Sequence, residues 1–199
     1  MATASLFKGY RLGSPAAPNV LEFYWDYTCP FSKKSFDRLV KEVHPYLEQN
    51  HPDTFAIIFR HQIQPWHPQS TLTHEASIAV HKIDPSKFFA FSQKLFDNQT
   101  KFFDTAIASK TRAQIYSDLA DLASEVAIDK NQFLALLKLK DGEGNVGNEI
   151  TNTLKIHLRI SRQNAIHVSP TVLVNGLRED SISSSWGLEK WKEFVAAKL

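Results

Sequence analysis

The chain has 199 residues, of which 43% are hydrophobic and 22% are charged, and its formal net charge at pH 7 is +2. This is the composition of one globular domain with a substantial core, and it excludes a low-complexity, collagen-like or strongly charged disordered chain. Basic and acidic residues are interleaved and no apolar stretch is long enough to span a bilayer. We therefore expect no nucleic-acid partner and no membrane segment.

The sequence contains a single cysteine, Cys29, which excludes a disulfide within the chain and is typical of a reducing compartment. Residues 1–10 lack the apolar run of a secretory signal, so we expect a cytoplasmic protein. The C-terminal tripeptide Ala197-Lys198-Leu199 is a conservative variant of the Ser-Lys-Leu peroxisomal signal, which makes peroxisomal import an alternative. The same tripeptide is also an ordinary end for a terminal helix.

The first third of the chain predicts a βαβ unit. Residues 20–25 are rich in β-branched and aromatic side chains, which favours a buried strand. A helix is expected after Cys29 and Pro30, because proline suits the first helical turn and apolar residues then recur at helical spacing. A short apolar strand at 55–59 follows, and the crossover between two such parallel strands is right-handed.

The remainder of the chain predicts a helical block followed by a β-β-α unit. Apolar residues recur at helical spacing over 72–83, 85–96, 111–126 and 131–139, and in one further helix that contains Val146, Ile150, Leu154 and Leu158. A strand at 169–174 ends in Asn175-Gly176, a hairpin-turn signal, and a C-terminal helix begins near Trp186. This order predicts an α/β, thioredoxin-like fold (β-α-β … β-β-α), with 1–199 as a single domain and an inserted helical block at about 70–145.

The motif Cys29-Pro30-Phe31-Ser32 is the best candidate for chemistry in the sequence. A helix N-terminus presents unpaired N–H groups and a partial positive charge, and both favour a reactive thiolate. Ser32 lies one turn further on, where its hydroxyl can hydrogen-bond the sulfur. The alternative is an inert thiol, because free cysteine is among the most buried residue types. The position between a strand and a helix favours the reactive thiol.

The second motif is Val168-Ser169-Pro170-Thr171. A proline directly before an apolar strand is unusual in a sheet. We expect a cis bond before Pro170, which would turn Ser169 towards the thiol and let its backbone pair with an extended substrate. The alternative is an ordinary trans proline that opens an edge strand.

Together these motifs and the element order resemble the DsbA-like branch of the thioredoxin superfamily over nearly the whole chain. The resemblance implies that Cys29 is the attacking thiol and Pro170 the cis-proline beside it. Disulfide-forming members have a second, resolving cysteine where this chain has Ser32. A mixed disulfide on Cys29 would therefore be resolved by an outside thiol, with glutathione as the expected cosubstrate. Monothiol glutaredoxins are similar in their Cys-x-x-Ser arrangement.

Kappa-class glutathione transferases and 2-hydroxychromene-2-carboxylate isomerases resemble the chain in the same architecture. Their Ser-Pro-Tyr-Ser-like motif matches this sequence at Pro30 and Ser32 and differs from it at Cys29 and Phe31. In those enzymes the site binds the thiol of glutathione rather than offering its own. Some kappa-class members also end in a peroxisomal tripeptide, so this resemblance adds weight to that alternative.

A polar and aromatic stretch at 60–75 follows the second strand. Trp66 is a candidate pocket wall, and His67 or His74 are candidate proton donors, although capping and surface roles are the alternative. His74 and His81 are seven residues apart, unlike the four-residue spacing of helical metal ligands, so we expect no metal.

Two acids, Glu22 and Asp26, bracket the first strand. A carboxylate buried near the thiol can relay protons. Either acid is equally able to be a solvated charge at a strand end.

The leading hypothesis is a monothiol thiol–disulfide oxidoreductase that acts through Cys29 and Ser32, with Pro30, Phe31, Trp66, Ser169 and Pro170 binding the substrate. Its expected partners are small thiols and protein or peptide disulfides, with a homodimer as an open option. The alternatives are a kappa-like glutathione transferase or isomerase, and a non-catalytic binding module on a thioredoxin scaffold.

Overall fold

The fold is built on a five-stranded mixed sheet, seen in a computed structural model that describes residues 8–199. The strands are β1 (Tyr10–Leu12), β2 (Asn19–Trp25), β3 (Phe55–His61), β4 (Thr171–Val174) and β5 (Leu177–Arg178). Their order across the sheet is β1-β3-β2-β4-β5; β2 and β3 are parallel and the other pairs are antiparallel. Most of the segment expected to lack a secretory signal lies outside the described residues.

Nine α-helices cover the sheet and fill the interval between β3 and β4 in the described part of the chain. They are α1 (Pro30–Arg38), α2 (His44–Asn50), α3 (Ser70–Ile83), α4 (Phe88–Asp97), α5 (Asp104–Ile107), α6 (Arg112–Ser124), α7 (Lys130–Leu137), α8 (Thr151–Gln163) and α9 (Leu188–Ala196). Two short 3₁₀ segments, Pro85–Lys87 and Gln99–Phe102, precede α4 and α5. The thioredoxin-like element order expected from the sequence is therefore confirmed.

The continuous helical segment from α1 to α2 contains one π-helical turn at Leu39–Val43. Pro45 lies in the first turn of α2. It has no N–H to donate, and in a regular α-helix its ring would clash with the backbone carbonyl four residues earlier. The chain accommodates this proline by widening the preceding turn, so that the backbone N–H of His44 bonds to the carbonyl of Leu39. The apolar face continues through the turn, with Leu39, Val43 and Leu47 buried.

Aromatic side chains form the core on one face of the sheet. Trp25 lies with its ring centroid 5.2 Å from those of Phe36 and Phe59, and all three are fully buried. The indole N–H of Trp25 donates to Ser35 Oγ at 3.1 Å. Because this contact joins the end of β2 to α1, the packing fixes where α1 begins relative to the sheet.

Two details of the sequence-based description were wrong. The strand β1 was missed, because three residues are too few to show a period-two pattern. The last helix of the block begins at Thr151, so Val146 and Ile150 precede it. The side chain of Asn148 accepts hydrogen bonds from the backbone N–H groups of Ile150 and Thr151, at 2.9 and 3.0 Å, and so holds the chain in a turn before the helix.

The turn after β1 requires a glycine, which gives a test of the packing there. Gly13 has φ +87°, and a Cβ at this position would lie 2.7 Å from the carbonyl oxygen of Phe55. We expect Gly13→Ala to lower the free energy of unfolding by about 3 kcal/mol, from left-handed strain plus overpacking. Gly176→Ala is the matched control, because Gly176 has φ +83° but, apart from its chain neighbours, no atom of residues 8–199 lies within 4 Å of its Cβ position. That control should lose only about 1 kcal/mol in urea unfolding, and equal losses would contradict the role of the contact.

Candidate active site

Three chain segments meet at one edge of the sheet. The parallel strands β2 and β3 end side by side, with Trp25 opposite His61. The antiparallel strand β4 begins at the same edge, with Thr171 opposite Tyr24. Consequently the start of α1, the loop after β3 and the segment before β4 lie together, which is where ligands bind in open α/β sheets.

Cys29 is the residue that precedes the first turn of α1. It has an extended backbone (φ −88°, ψ 119°), and its carbonyl accepts the N–H of Lys33 at 3.1 Å, which starts the helix. No side chain caps the N-terminus of α1 within the described residues, so its N–H groups are available to favour an anion. Only 4% of the Cys29 surface is exposed.

The sulfur of Cys29 faces the segment before β4. Its Sγ donates to the carbonyl oxygen of Ser169 at 3.4 Å. The Ser169–Pro170 peptide bond is cis. The hydroxyl of Ser169 is buried and has no hydrogen-bond partner in residues 8–199. A polar atom without a partner therefore lies on the residue that the sulfur touches.

The hydrogen bond between Ser32 and the sulfur that the sequence suggested is not formed in the described chain. Its hydroxyl is fully buried and accepts the backbone N–H of Asp26 at 3.2 Å. The hydrogen bonds of the described chain include none between Ser32 and Cys29. Ser32 thus fixes the loop between β2 and α1, and its contribution to the site is to position Cys29.

Asp26 is a fully buried carboxylate at the centre of these segments. Its Oδ1 accepts from the backbone N–H and the hydroxyl of Thr28 and from the hydroxyl of Ser70, at 2.7–2.8 Å. Its Oδ2 accepts from the backbone N–H of Gln64 at 3.0 Å and lies 3.2 Å from Nδ1 of His67. Burial alone would raise the pKa of Asp26, but the hydrogen bond from His67, the electrostatic effect of His74 and the hydrogen bonds from Thr28 together outweigh it and hold the pKa below its usual value.

The other acid considered from the sequence, Glu22, has a different environment. Its Oε2 pairs with Nη2 of Arg60 on the neighbouring strand at 2.6 Å, and both side chains are largely buried. Of the two acids, only Asp26 belongs to the group around the thiol.

The two candidate proton donors, His67 and His74, differ in accessibility. The hydrogen bond with Asp26 raises the pKa of His67, whose side chain is partly exposed. Burial lowers the pKa of His74 to about 4, and its Nδ1 lies 2.6 Å from Nδ1 of His61, deep in the core. Of these two histidines, only His67 lines a cavity of about 310 Å³, here called the thiol cavity. The thiol cavity lies beside Cys29 in the chain without being lined by it; its lining residues are Thr28, Pro30, His67, Gln69, Phe103, Asp104 and Thr105.

Exposed apolar side chains lie on all three segments that meet at the thiol. Phe31 is 64% exposed, Trp66 is 55% exposed and Val168 is 37% exposed. Trp66 also lines a second cavity of about 610 Å³, here called the Trp66 cavity. Pro30 is exposed and Pro170 is half-buried, so all five residues expected to bind substrate lie on these segments, with Ser169 beneath them.

Gln64 connects two of the segments and was missed in the sequence. Its Oε1 accepts the backbone N–H of Ser169 at 2.9 Å. A substrate strand that pairs with that N–H must therefore displace Gln64. No pattern in the sequence distinguishes this glutamine from the neighbouring polar residues, because the contact joins residues 105 positions apart.

None of the helices in residues 8–199 is long and apolar enough to cross a membrane. Over the same residues, the structure contains no group of three or more His, Cys, Asp or Glu side chains that could hold a metal ion.

The buried histidines of the core give a prediction about pH. Burial lowers the pKa of His74 to about 4, and burial together with Arg60 lowers that of His157 to about 3. Both stay neutral in the folded chain at pH 5, whereas the unfolded chain protonates them below its ordinary value of about 6.5. Stability therefore falls as the pH drops, by roughly 2 kcal/mol for each histidine between about pH 7 and pH 5. His67, with a raised pKa, acts in the opposite direction.

The variant His157→Gln isolates one of these contributions. It removes the titrating ring and can retain a hydrogen bond to the hydroxyl of Tyr10, which lies 3.1 Å from Nε2 of His157. We expect the loss of unfolding free energy between about pH 7 and pH 5 to be smaller by roughly 2 kcal/mol than in the wild type. Urea unfolding at the two pH values measures this, and an unchanged loss would show that His157 is not held neutral.

Comparisons with known proteins agree with this geometry. The thioredoxin family model matches residues 7–196. No curated protein sequence matches the chain. Three solved structures illustrate the similarity of fold.

A protein from Pseudomonas syringae, provisionally named a protein-disulfide isomerase, is 23% identical with a TM-score of 0.76, over 96% of this chain and 99% of that chain. Oxidised BdbD from Bacillus subtilis is 22% identical with a TM-score of 0.68, and the match covers 96% of this chain and 93% of that chain. MdbA from Actinomyces oris, described as a thiol-disulfide oxidoreductase, is 17% identical with a TM-score of 0.68, and the match covers 94% of this chain and 84% of that chain. The three structures share the fold of this chain, and the family match covers almost the whole of it, so the protein belongs to the thioredoxin family.

Proposed function

We propose that the protein is a thiol–disulfide oxidoreductase in which Cys29 is the redox thiol and glutathione is the cosubstrate. The observation that carries the proposal is the Cys29 sulfur at the uncapped start of α1, 3.4 Å from the Ser169 carbonyl and bordered by exposed apolar side chains. The description of MdbA as a thiol-disulfide oxidoreductase supports it.

The proposed reaction has two exchange steps. The Cys29 thiolate attacks the glutathione sulfur of a mixed disulfide, the S–S bond breaks, and the substrate sulfur leaves as a thiolate that takes up a proton. Cys29 is then joined to glutathione. A second glutathione thiolate attacks the glutathione sulfur of that adduct, which gives oxidised glutathione and returns Cys29 as a thiolate. Overall, the substrate sulfur is released as a thiol, and the glutathione it carried is joined to one free glutathione as oxidised glutathione.

The position of Ser32 explains why an outside thiol is needed. A hydroxyl cannot resolve the mixed disulfide, and this one is already occupied by the backbone N–H of Asp26. His67 is suited to give a proton to the leaving thiolate, because its hydrogen bond with Asp26 raises its pKa and it lines the thiol cavity beside Pro30.

A non-catalytic binding module is the second candidate, favoured by the small exposed fraction of Cys29. In that case the exposed apolar residues bind a partner and the sulfur does not react. The kappa-like transferase or isomerase is the third, in which glutathione binds without forming a disulfide to the protein.

Replacement of the cysteine separates these candidates. We expect Cys29→Ser to lower the reduction rate of a glutathione mixed disulfide of 2-mercaptoethanol by about 100-fold or more, because the nucleophile is lost. Coupled glutathione reductase activity measures the rate, and labelling with iodoacetamide tests access to the sulfur.

The exposed Leu177→Ala variant on β5 is the control and should behave as wild type. Equal rates for Cys29→Ser and wild type would refute the oxidoreductase. If the wild type neither reduces the mixed disulfide nor reacts with iodoacetamide, the result would favour the binding module.

The apolar border of the site predicts substrate preference. Trp66→Ala and Phe31→Ala should each raise KM for an apolar peptide disulfide by about tenfold, because each removes an exposed aromatic anchor. The KM for the small mixed disulfide should change little, since that substrate is too short to reach both rings. Steady-state kinetics on the two substrates checks this, with Leu177→Ala again as the matched apolar control. A rise of equal size for both substrates would point to a general loss of site structure.

A further inference from the structure

The helix α8 has two faces of different character. Leu154, His157, Ile160 and Ser161 are buried against the rest of the fold. The exposed side carries Lys155, Arg159 and Arg162, whose spacing of four and three residues places them in one row. Neither α8 nor the segment 164–168 after it contains an aspartate or a glutamate. The interleaving of charges along the whole sequence conceals this basic row.

The three cations of the row have no acidic partner in the described chain. Within residues 8–199 none of them forms an ion pair or a side-chain hydrogen bond, whereas lysines and arginines of other helices do, as in Lys94 with Glu125 at 2.8 Å. They border a groove of about 420 Å³, here called the α8 groove, together with Leu158 and Gln163.

The α8 groove continues into the Trp66 cavity, because Leu158 and Arg162 line both. The Trp66 cavity adds apolar walls from Ile63 and Ile166 and ends near the segment before Ser169. Its other wall, the loop 62–71, also contains no acidic residue. A continuous surface that combines unpaired cations with apolar walls thus runs from the exposed side of α8 towards the thiol.

We propose that this surface, the α8 groove and the Trp66 cavity together, binds an acidic polypeptide segment that flanks the disulfide presented to Cys29. The inference rests on the proposed function, because it is the reaction at Cys29 that requires the bound segment to lead towards the thiol. Lys155 and Arg162 are separated by about 10 Å along the helix axis, which an extended peptide spans with about three residues. Two or three carboxylates within four residues therefore match the row, and an apolar side chain between them fits the wall beside Trp66.

Charge and shape favour a polypeptide over other anions. Nucleic-acid surfaces commonly make about six to ten phosphate contacts, and this row offers three cations. An anionic membrane is bound by helices that bury an apolar face in the lipid, but the apolar face of α8 is already buried in the protein. The apolar walls of the Trp66 cavity are also of little use to a small, fully charged anion.

The test measures binding without any disulfide chemistry. The probe is a fluorescein-labelled six-residue peptide of alternating glutamate and leucine, with a matched peptide of glutamine and leucine, in fluorescence anisotropy. We expect the acidic peptide to bind more tightly than the neutral one, with an affinity that falls about tenfold between about 20 mM and 300 mM NaCl. The double variant Arg159→Glu/Arg162→Glu should lose about tenfold or more of this affinity at low salt.

The control is Lys87→Glu/Lys138→Glu, which changes the net charge by the same amount away from α8 and should bind the peptide as wild type. Turnover of the small glutathione mixed disulfide should be equal in both double variants, so a failure of Cys29 chemistry is seen separately from a failure of the surface.

Three results would overturn the proposal: equal loss in the two double variants, equal binding of the acidic and neutral peptides, or tighter binding of a single-stranded oligonucleotide or of phosphatidylserine vesicles that depends on Arg159 and Arg162.

Discussion

A buried carboxylate, that of Asp26, organises the site edge of the sheet. An isolated charge in this position would be strongly unfavourable, so the chain must supply hydrogen-bond donors to it. The donors come from Thr28 before α1, from Gln64 and His67 in the loop after β3, and from Ser70 at the start of α3. Satisfying one charge therefore fixes the relative positions of three segments, including the one that carries Cys29.

Asp26 is linked to the Cys29 sulfur through contacts of two further residues, Ser32 and Gln64. Ser32 accepts the backbone N–H of Asp26 and so holds the start of α1 against the end of β2. Gln64, held at its backbone by Asp26, uses its side chain to bind the N–H of Ser169, whose carbonyl meets the sulfur. The loop after β3 also carries Trp66 and His67. The same carboxylate thus places the thiol, the segment opposite to it, His67 and Trp66.

Helix α8 links this site to the outer surface. Its buried residues, among them His157 and Ile160, pack into the core, and the chain that leaves it leads directly to Ser169 and Pro170. Its exposed residues form a basic row that continues into the Trp66 cavity. One helix thereby shapes the segment that touches the sulfur and the surface proposed to select what reaches it.

The thioredoxin-like order of elements and the location of the thiol could be predicted from the sequence, because both depend on local signals: apolar periodicity, Pro30 at a helix start, and the Asn175-Gly176 turn. The sequence also identified Trp66 and His67 as members of one loop near the site. It did not reveal β1, the bond between Gln64 and Ser169, the burial of Asp26 or the unpaired cations of α8. These features emerge only from the folded chain, since each depends on which residues distant in the sequence lie in contact, and a hydrogen bond or an ion pair leaves no periodic pattern in the sequence.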